Sequence, residues 1–132
     1  MRIIVDLPQL SEVATVAACC ELMDAVARVG LICERAHGKP APSLYGSGVE
    51  YAPEPFRDGE HFDLPGFCVR RGWADCDDLT LWRLMECWRS GEHGAKSAGV
   101  WREDTRKFHA RLRRADGTIE DPTLSVPHLK TR

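Results

Sequence analysis

The sequence predicts a single α+β domain, spanning residues 1–132, in which helices pack on a small antiparallel sheet. Two segments carry apolar residues at helical spacing, and a long stretch rich in Pro and Gly separates them. Alternating apolar and polar residues follow the second segment, as in β-strands joined by tight turns. The length suits one domain, since chains of roughly 100–200 residues usually form one compact unit.

The first helical segment runs from Leu10 to about Val29, with Ser11 as the expected N-cap and Gly30 as the expected stop. Residues 36–66 follow and contain five prolines and five glycines, a density that predicts a loop with at most a short strand or turn. Long loops often form the wall of a binding cleft. Three aromatic side chains would give this wall apolar area: Tyr45, Tyr51 and Phe56.

The second helical segment has the sequence DCDDLTLWRLMECWR and ends at Gly91. At its start, Asp75 is expected to accept a hydrogen bond from the free amide of Asp78. Strand patterns follow over residues 95–101 and in FHARLRR, and a tight turn at Asp116–Gly117 leads into TIEDPT. The predicted order is therefore helix, long loop, helix and an antiparallel meander.

The charge balance argues against nucleic-acid binding. The 18 basic and 20 acidic residues give a formal net charge of -2, so there is no excess of positive charge to attract a phosphate backbone. The N-terminal apolar run is three residues long, which predicts neither an export signal nor a membrane span. We therefore expect a protein that is cytoplasmic when synthesised, with its six cysteines as thiols. The cysteine spacing does not fit a zinc site, and we expect neither a metal nor a cofactor.

Three residues, Cys76, His109 and Asp121, could together carry nucleophilic chemistry. Cys76 begins the second helix, where unpaired amides and the helix dipole favour a thiolate and could hold an oxyanion. The neighbouring aspartates raise the pKa of a thiol, so a second group must supply positive charge. His109 is that group, and the hairpin turn would bring Asp121 beside it to fix the tautomer of the imidazole.

The ordered motifs GWADCDDLTLW and FHARLRRADGTIEDPT resemble the core of the transglutaminase-like superfamily. Together with SLYGSGVEYAPEP, they make the chain similar to small transglutaminase-like cysteine protease candidates of bacteriophages and prophages, over Ser43–Thr123. This resemblance implies a papain-like fold with Cys76 as nucleophile, His109 as base and Asp121 as the residue that orients the base. Ala74 departs from the family pattern, which often has Gly at this position.

The expected activity is acyl transfer through a thioester on Cys76, and the preferred outcome is hydrolysis of an amide or peptide bond. Cross-linking of proteins is less favoured, because the chain is too short to add the large flanking domains that recruit protein amines. The phage resemblance implies a substrate in the virion or the host envelope, and a virion-associated location. The candidate substrate-binding residues are Trp73, Tyr45 and Tyr51, although Trp73 could equally pack the loop.

An alternative function uses the same fold without catalysis. A virion assembly or interaction protein could retain the triad residues and bind a partner through the aromatic loop around Tyr45 and Tyr51. Selective alkylation of Cys76 that depends on His109 would favour the enzyme, whereas equally slow reaction of all six thiols would favour the binding protein. The sequence leaves open the substrate, the oligomeric state and the second donor of the oxyanion site.

Overall fold

A computed structural model describes residues 2–6, 10–53 and 60–130 of the chain. The helices in this part are α1 (Glu12–His37), α2 (Pro65–Arg71) and α3 (Cys76–Arg89). The strands are β1 (Arg2–Val5), β2 (Glu50–Tyr51), β3 (Glu60–Asp63), β4 (Trp73–Ala74), β5 (Lys96–Arg102), β6 (Lys107–Arg113) and β7 (Ile119–Glu120). Single 3-10 turns lie at Leu44–Gly46 and Pro122–Leu124.

The strands of the described chain form three small sheets. The largest has the antiparallel order β5-β6-β7, β1 pairs antiparallel with β3, and β2 pairs parallel with β4. This mixture of helices and small, mostly antiparallel sheets confirms the predicted α+β class. The antiparallel pairs of β5 with β6 and of β6 with β7 lie where the sequence predicts a meander.

The main core lies between the three-stranded sheet and the two long helices. Met23 of α1 and Leu84 of α3 belong to this core together with Ala110 and Leu112 of β6. Because side chains alternate along a strand, Ala110 and Leu112 share the face of β6 that covers the helices. α3 therefore packs directly on β6, which brings the start of the helix beside the strand that carries His109.

A second cluster of buried side chains attaches the long loop to another side of α3. It contains Leu44 and Val49 of the loop and Leu79 and Trp82 of α3, all almost completely buried. The indole Nε1 of Trp82 also donates a hydrogen bond to the carbonyl oxygen of Pro42, at 3.1 Å. With apolar contacts on several sides, α3 is the central element of the described fold.

The two predicted N-terminal helix caps are confirmed. Ser11 Oγ accepts a hydrogen bond from the Ala14 amide at 3.2 Å. At the start of α3, Asp75 Oδ1 accepts from the Asp78 amide at 2.9 Å, and Asp78 Oδ2 accepts from the Asp75 amide at 3.2 Å. This reciprocal pair is a capping box, and it fixes Cys76 as the first residue of the helix.

The expected stop of the first helix at Gly30 is wrong. α1 continues to His37 and ends at Gly38, whose φ of 68° lies in the left-handed region. Gly30 is buried, and a Cβ at this position would lie 2.7 Å from Met85 Sδ and 2.9 Å from Leu64 Cδ2. The missing side chain therefore serves close packing of α1 against α3 and does not end the helix.

We expect Gly30→Val to lower the free energy of unfolding by about 1–3 kcal/mol, the usual cost of adding volume to a packed core. Urea unfolding followed by circular dichroism measures this loss. Gly46→Val is the matched control, because a Cβ at Gly46 meets no atom within 4 Å. Equal stability of the two variants would contradict the proposed packing role.

The long loop holds more regular structure than predicted. Its described residues form the 3-10 turn, β2 and β3, and α2 begins inside it at Pro65. Pro65 counts as a breaker in a sequence pattern, but proline fits the first position of a helix, where the amide has no helical partner. Residues 54–59, and with them the candidate wall residue Phe56, lie outside the described residues.

Candidate active site

A cleft of about 500 Å³ lies where the first turn of α3 meets the turn between β5 and β6. Cys76 and His109 both line it, together with Asp77 of α3, Tyr51 of β2 and Thr15 of α1. Five separate elements, α1, β2, α3, β5 and β6, therefore contribute to one concave surface. A cleft that gathers a thiol, an imidazole and a carboxylate is the default candidate for an active site.

The thiol of Cys76 lies against both the acidic first turn of α3 and the strand β6. Burial raises its pKa well above the ordinary value, the charges of Asp77 and Asp75 raise it further, and a hydrogen bond from the Ala110 amide acts in the opposite direction. Cys76 Sγ donates a hydrogen bond to Asp77 Oδ1 at 3.7 Å. The resting group is therefore a thiol, whereas the helix dipole alone predicted a thiolate.

His109 lies beside Asp121, and both side chains are largely buried. Nε2 of the imidazole is 2.7 Å from Asp121 Oδ2. Burial would raise the pKa of Asp121, but hydrogen bonds from His109 and Thr123 outweigh it and hold that pKa below its ordinary value. Because a carboxylate only accepts hydrogen bonds, Nε2 must donate, and Nδ1 of a neutral ring is then left as the basic atom.

The short length of β7 explains how Asp121 reaches His109. β7 pairs with β6 only through Leu112 with Glu120 and Arg113 with Ile119, and the chain then leaves the sheet at Asp121. The predicted turn before β7 is present: Gly117 has a φ of 91°, and the Thr118 amide donates to Asp116 Oδ1 at 2.9 Å. β7 therefore does not pair with the first half of β6, and this leaves room for the start of α3.

The structure brings the three predicted catalytic residues to one end of β6. The amide that donates to Cys76 belongs to Ala110, the residue directly after His109. His109 in turn contacts Asp121. The order along this edge is sulfur, imidazole and carboxylate, and Cys76 and His109 line the cleft, whereas Asp121 does not.

A buried ionic network supports the first turn of α3. Asp78, two residues after Cys76, accepts a hydrogen bond from the Asp63 amide at 2.9 Å and pairs with the Arg71 guanidinium at 2.7 Å. Asp63 pairs with Arg71 as well and with Arg2 at 2.7 Å. The sequence pattern predicted a capping role for Asp78 but not this network, because its partners Asp63 and Arg71 belong to β3 and α2, outside α3.

The three candidate substrate-binding residues do not share one place. Tyr51 lines the cleft. The hydroxyl of Tyr45 contacts the Glu120 carboxylate. The guanidinium of Arg71 stacks on the Trp73 ring, with its Cζ atom 3.8 Å from the ring centroid. Neither Tyr45 nor Trp73 is among the residues that line the cleft. The sequence analysis predicted that the aspartates beside Cys76 raise the pKa of its thiol, but it did not predict the hydrogen bond that Asp77 accepts from the sulfur.

No family model, curated protein or solved structure matches the chain. The transglutaminase-like resemblance therefore stays a prediction that rests on the motifs. Within the described residues, no three His, Cys, Asp or Glu side chains are grouped so that they could hold a metal ion. In the same part of the chain, none of the helices combines the length and the apolar character that crossing a membrane requires.

We expect Asp77→Asn to accelerate alkylation of Cys76 by iodoacetamide at neutral pH by roughly tenfold, the ratio that one pKa unit gives. The substitution removes a negative charge beside the sulfur, so the thiol pKa falls and more thiolate is present. Peptide mapping by mass spectrometry measures the rate at this one cysteine. Glu21→Gln, an exposed change on α1, is the control, and an unchanged rate in Asp77→Asn would show that this charge does not act on Cys76.

Proposed function

We propose that this protein is a cysteine-dependent acyl-transfer enzyme with a transglutaminase-like, papain-like core, and that it hydrolyses an amide or peptide bond. The contact that carries this proposal is the 2.7 Å hydrogen bond between His109 Nε2 and Asp121 Oδ2, in a cleft that also contains Cys76. An imidazole held in one tautomer by a carboxylate, next to a thiol at a helix start, is the arrangement that nucleophilic catalysis needs.

In the first half of the reaction, Cys76 Sγ attacks the carbonyl carbon of the substrate while His109 Nδ1 takes the thiol proton. The negative charge then forms on the carbonyl oxygen, and the Cys76 amide at the first turn of α3 supplies one donor for it. His109 passes its proton to the leaving amine as the carbon–nitrogen bond breaks. The product of this half is a thioester on Cys76.

In the second half, His109 takes a proton from a water molecule, and the resulting hydroxide attacks the thioester carbon. The carbon–sulfur bond breaks, the sulfur recovers a proton from His109, and the acid product leaves. Asp121 keeps the ring oriented in both halves and stabilises the imidazolium that forms. Because burial and the neighbouring aspartates raise the pKa of the Cys76 thiol, His109 must accept its proton for the sulfur to react.

The source of the substrate rests on the resemblance to phage proteins. We propose a protein of the virion or a peptide bond of the host cell envelope, met by an enzyme that is made in the cytoplasm and is associated with the virion. Water is the proposed acceptor, and a primary amine is the competing acceptor that would turn the same thioester chemistry into cross-linking.

Reaction with p-nitrophenyl acetate tests the proposed chemistry without knowledge of the substrate. We expect an acetyl group on Cys76 in intact-mass and peptide-mapping spectra, and steady release of acetate as water clears the thioester. Adding glycine ethyl ester separates the acceptors, since amine transfer would yield the acetylated amine. Cys76→Ala should lose the reaction, while Cys33→Ala should keep it; acetylation spread evenly over the other thiols would contradict the proposal.

A second candidate is a virion assembly or interaction protein that retains the fold without catalysis. The observation in its favour is the raised pKa of Cys76, which leaves a protonated and partly buried thiol at rest. Tyr45 remains 43% exposed and gives the loop an apolar contact surface. The same acetylation experiment separates the two functions, because this candidate predicts no selective adduct on Cys76.

A further inference from the structure

The charges that line the cleft divide into two regions. Asp75 and Asp77 lie beside Cys76, and both accept hydrogen bonds within the protein. Asp75 caps α3, and Asp77 accepts the hydrogen bond of the thiol. Arg102, Arg106 and Lys107 line the opposite part, at the ends of β5 and β6 and in the turn between them. These three cations form no ion pair with any other residue in the described ranges, and all three are exposed.

The hairpin register concentrates positive charge at this end of the cleft. Arg102 and Lys107 stand directly opposite each other across β5 and β6, so their charges lie on one face and add. Arg106 has a φ of 53°, in the region that side chains other than glycine seldom adopt. The charge of Arg102 also reaches Tyr51 on another wall, where it opposes the effects that raise the pKa of the tyrosine.

An exposed guanidinium or ammonium group beside a nucleophile attracts an anionic group of a bound ligand. Arginine matches a carboxylate with two parallel hydrogen bonds, and lysine adds a compact positive charge. Aspartates beside Cys76 would repel the same anion, so it can only bind at the hairpin end. The division of charge therefore orients a ligand as well as selecting it.

We propose that the cleft selects acyl donors that carry a carboxylate, and that Arg102, Arg106 and Lys107 hold this group at the β5–β6 turn while the carbonyl to be attacked lies at Cys76. This inference names the substrate class of the proposed enzyme and rests on that function. An acidic side chain and a free C-terminal carboxylate present the same chemistry. Testing them separately decides which one the cleft takes.

Binding to the Cys76→Ala protein tests the selection without turnover, by isothermal titration calorimetry with three peptides of one length. One peptide has Glu in the middle and an amidated end, the second has Gln there and an amidated end, and the third has Gln and a free carboxylate. At low salt we expect one of the two peptides with a carboxylate to bind roughly tenfold more tightly than the neutral one, and higher salt to reduce this ratio.

The matched variants are Arg102→Gln with Lys107→Gln, and Lys96→Gln with Arg113→Gln. Both pairs stand opposite each other in the same hairpin, but only the first lines the cleft. The first double variant should lose the preference and the second should keep it. Equal affinity for all three peptides, or no binding, overturns the inference even if Cys76 is acetylated; a preference without acetylation would instead overturn the proposed catalysis and leave the binding site standing.

Discussion

His109→Ala should slow acetylation of Cys76 by p-nitrophenyl acetate by about 10²–10⁴-fold, the contribution usual for a general base. The reason is the protonation state of the nucleophile. Cys76 rests as a thiol whose pKa is raised, so attack requires an acceptor for its proton at the moment of reaction. Asp121→Ala should give a smaller loss, because the imidazole remains but its tautomer is no longer fixed.

His93→Ala is the control for this prediction, since His93 is exposed and does not line the cleft. Its acetylation rate should equal that of the unmodified protein. Circular dichroism and urea unfolding of each variant separate loss of chemistry from loss of fold. A rate for His109→Ala close to that of the unmodified protein would remove His109 from the reaction.

Asp78→Ala should destabilise the fold by about 3–5 kcal/mol, because removing one partner of a buried ion pair leaves the other charge uncompensated. Asp78 is 1% exposed, and its loss would leave the Arg71 guanidinium with fewer acceptors. The substitution also removes the acceptor of the Asp63 amide and one half of the capping box. Urea unfolding measures the change in free energy.

The matched control for Asp78→Ala is Asp104→Ala, an exposed change in the turn between β5 and β6. Its stability should stay within about 0.5 kcal/mol of the unmodified protein, as for most surface substitutions. If Asp78→Ala were equally mild, the buried network would not support α3. In that case the position of Cys76 would depend on the apolar packing of the helix alone.

Much of the site could be predicted from sequence because its signals are local. The cap of α3 depends on Asp75 and Asp78, which are three residues apart, and it fixes where Cys76 lies. The turn at Asp116–Gly117 sets the length of the last hairpin, and that length sets which residue can reach His109. Short-range signals therefore predict the start of α3 at Cys76 and the approach of Asp121 to His109, whereas the approach of α3 to β6 depends on long-range packing.

The remaining features depend on contacts between residues far apart in the chain. In the sequence, Gly30 has the pattern of a helix stop, because its close packing against Met85 of α3 is visible only in the structure. Tyr45 was expected to line the cleft, but its hydroxyl contacts Glu120, and neither residue lines the cleft. The pKa of Cys76 depends on how deeply the sulfur is buried, and no local pattern gives that depth.

If Cys76, His109 and Asp121 act as one unit, the acetylation rate of the double variant His109→Ala with Asp121→Ala must show it. Residues that act as a unit give strongly non-additive losses. We expect the double variant to be no slower than His109→Ala alone, because Asp121 acts only through the imidazole. Losses that multiply in the double variant would contradict it.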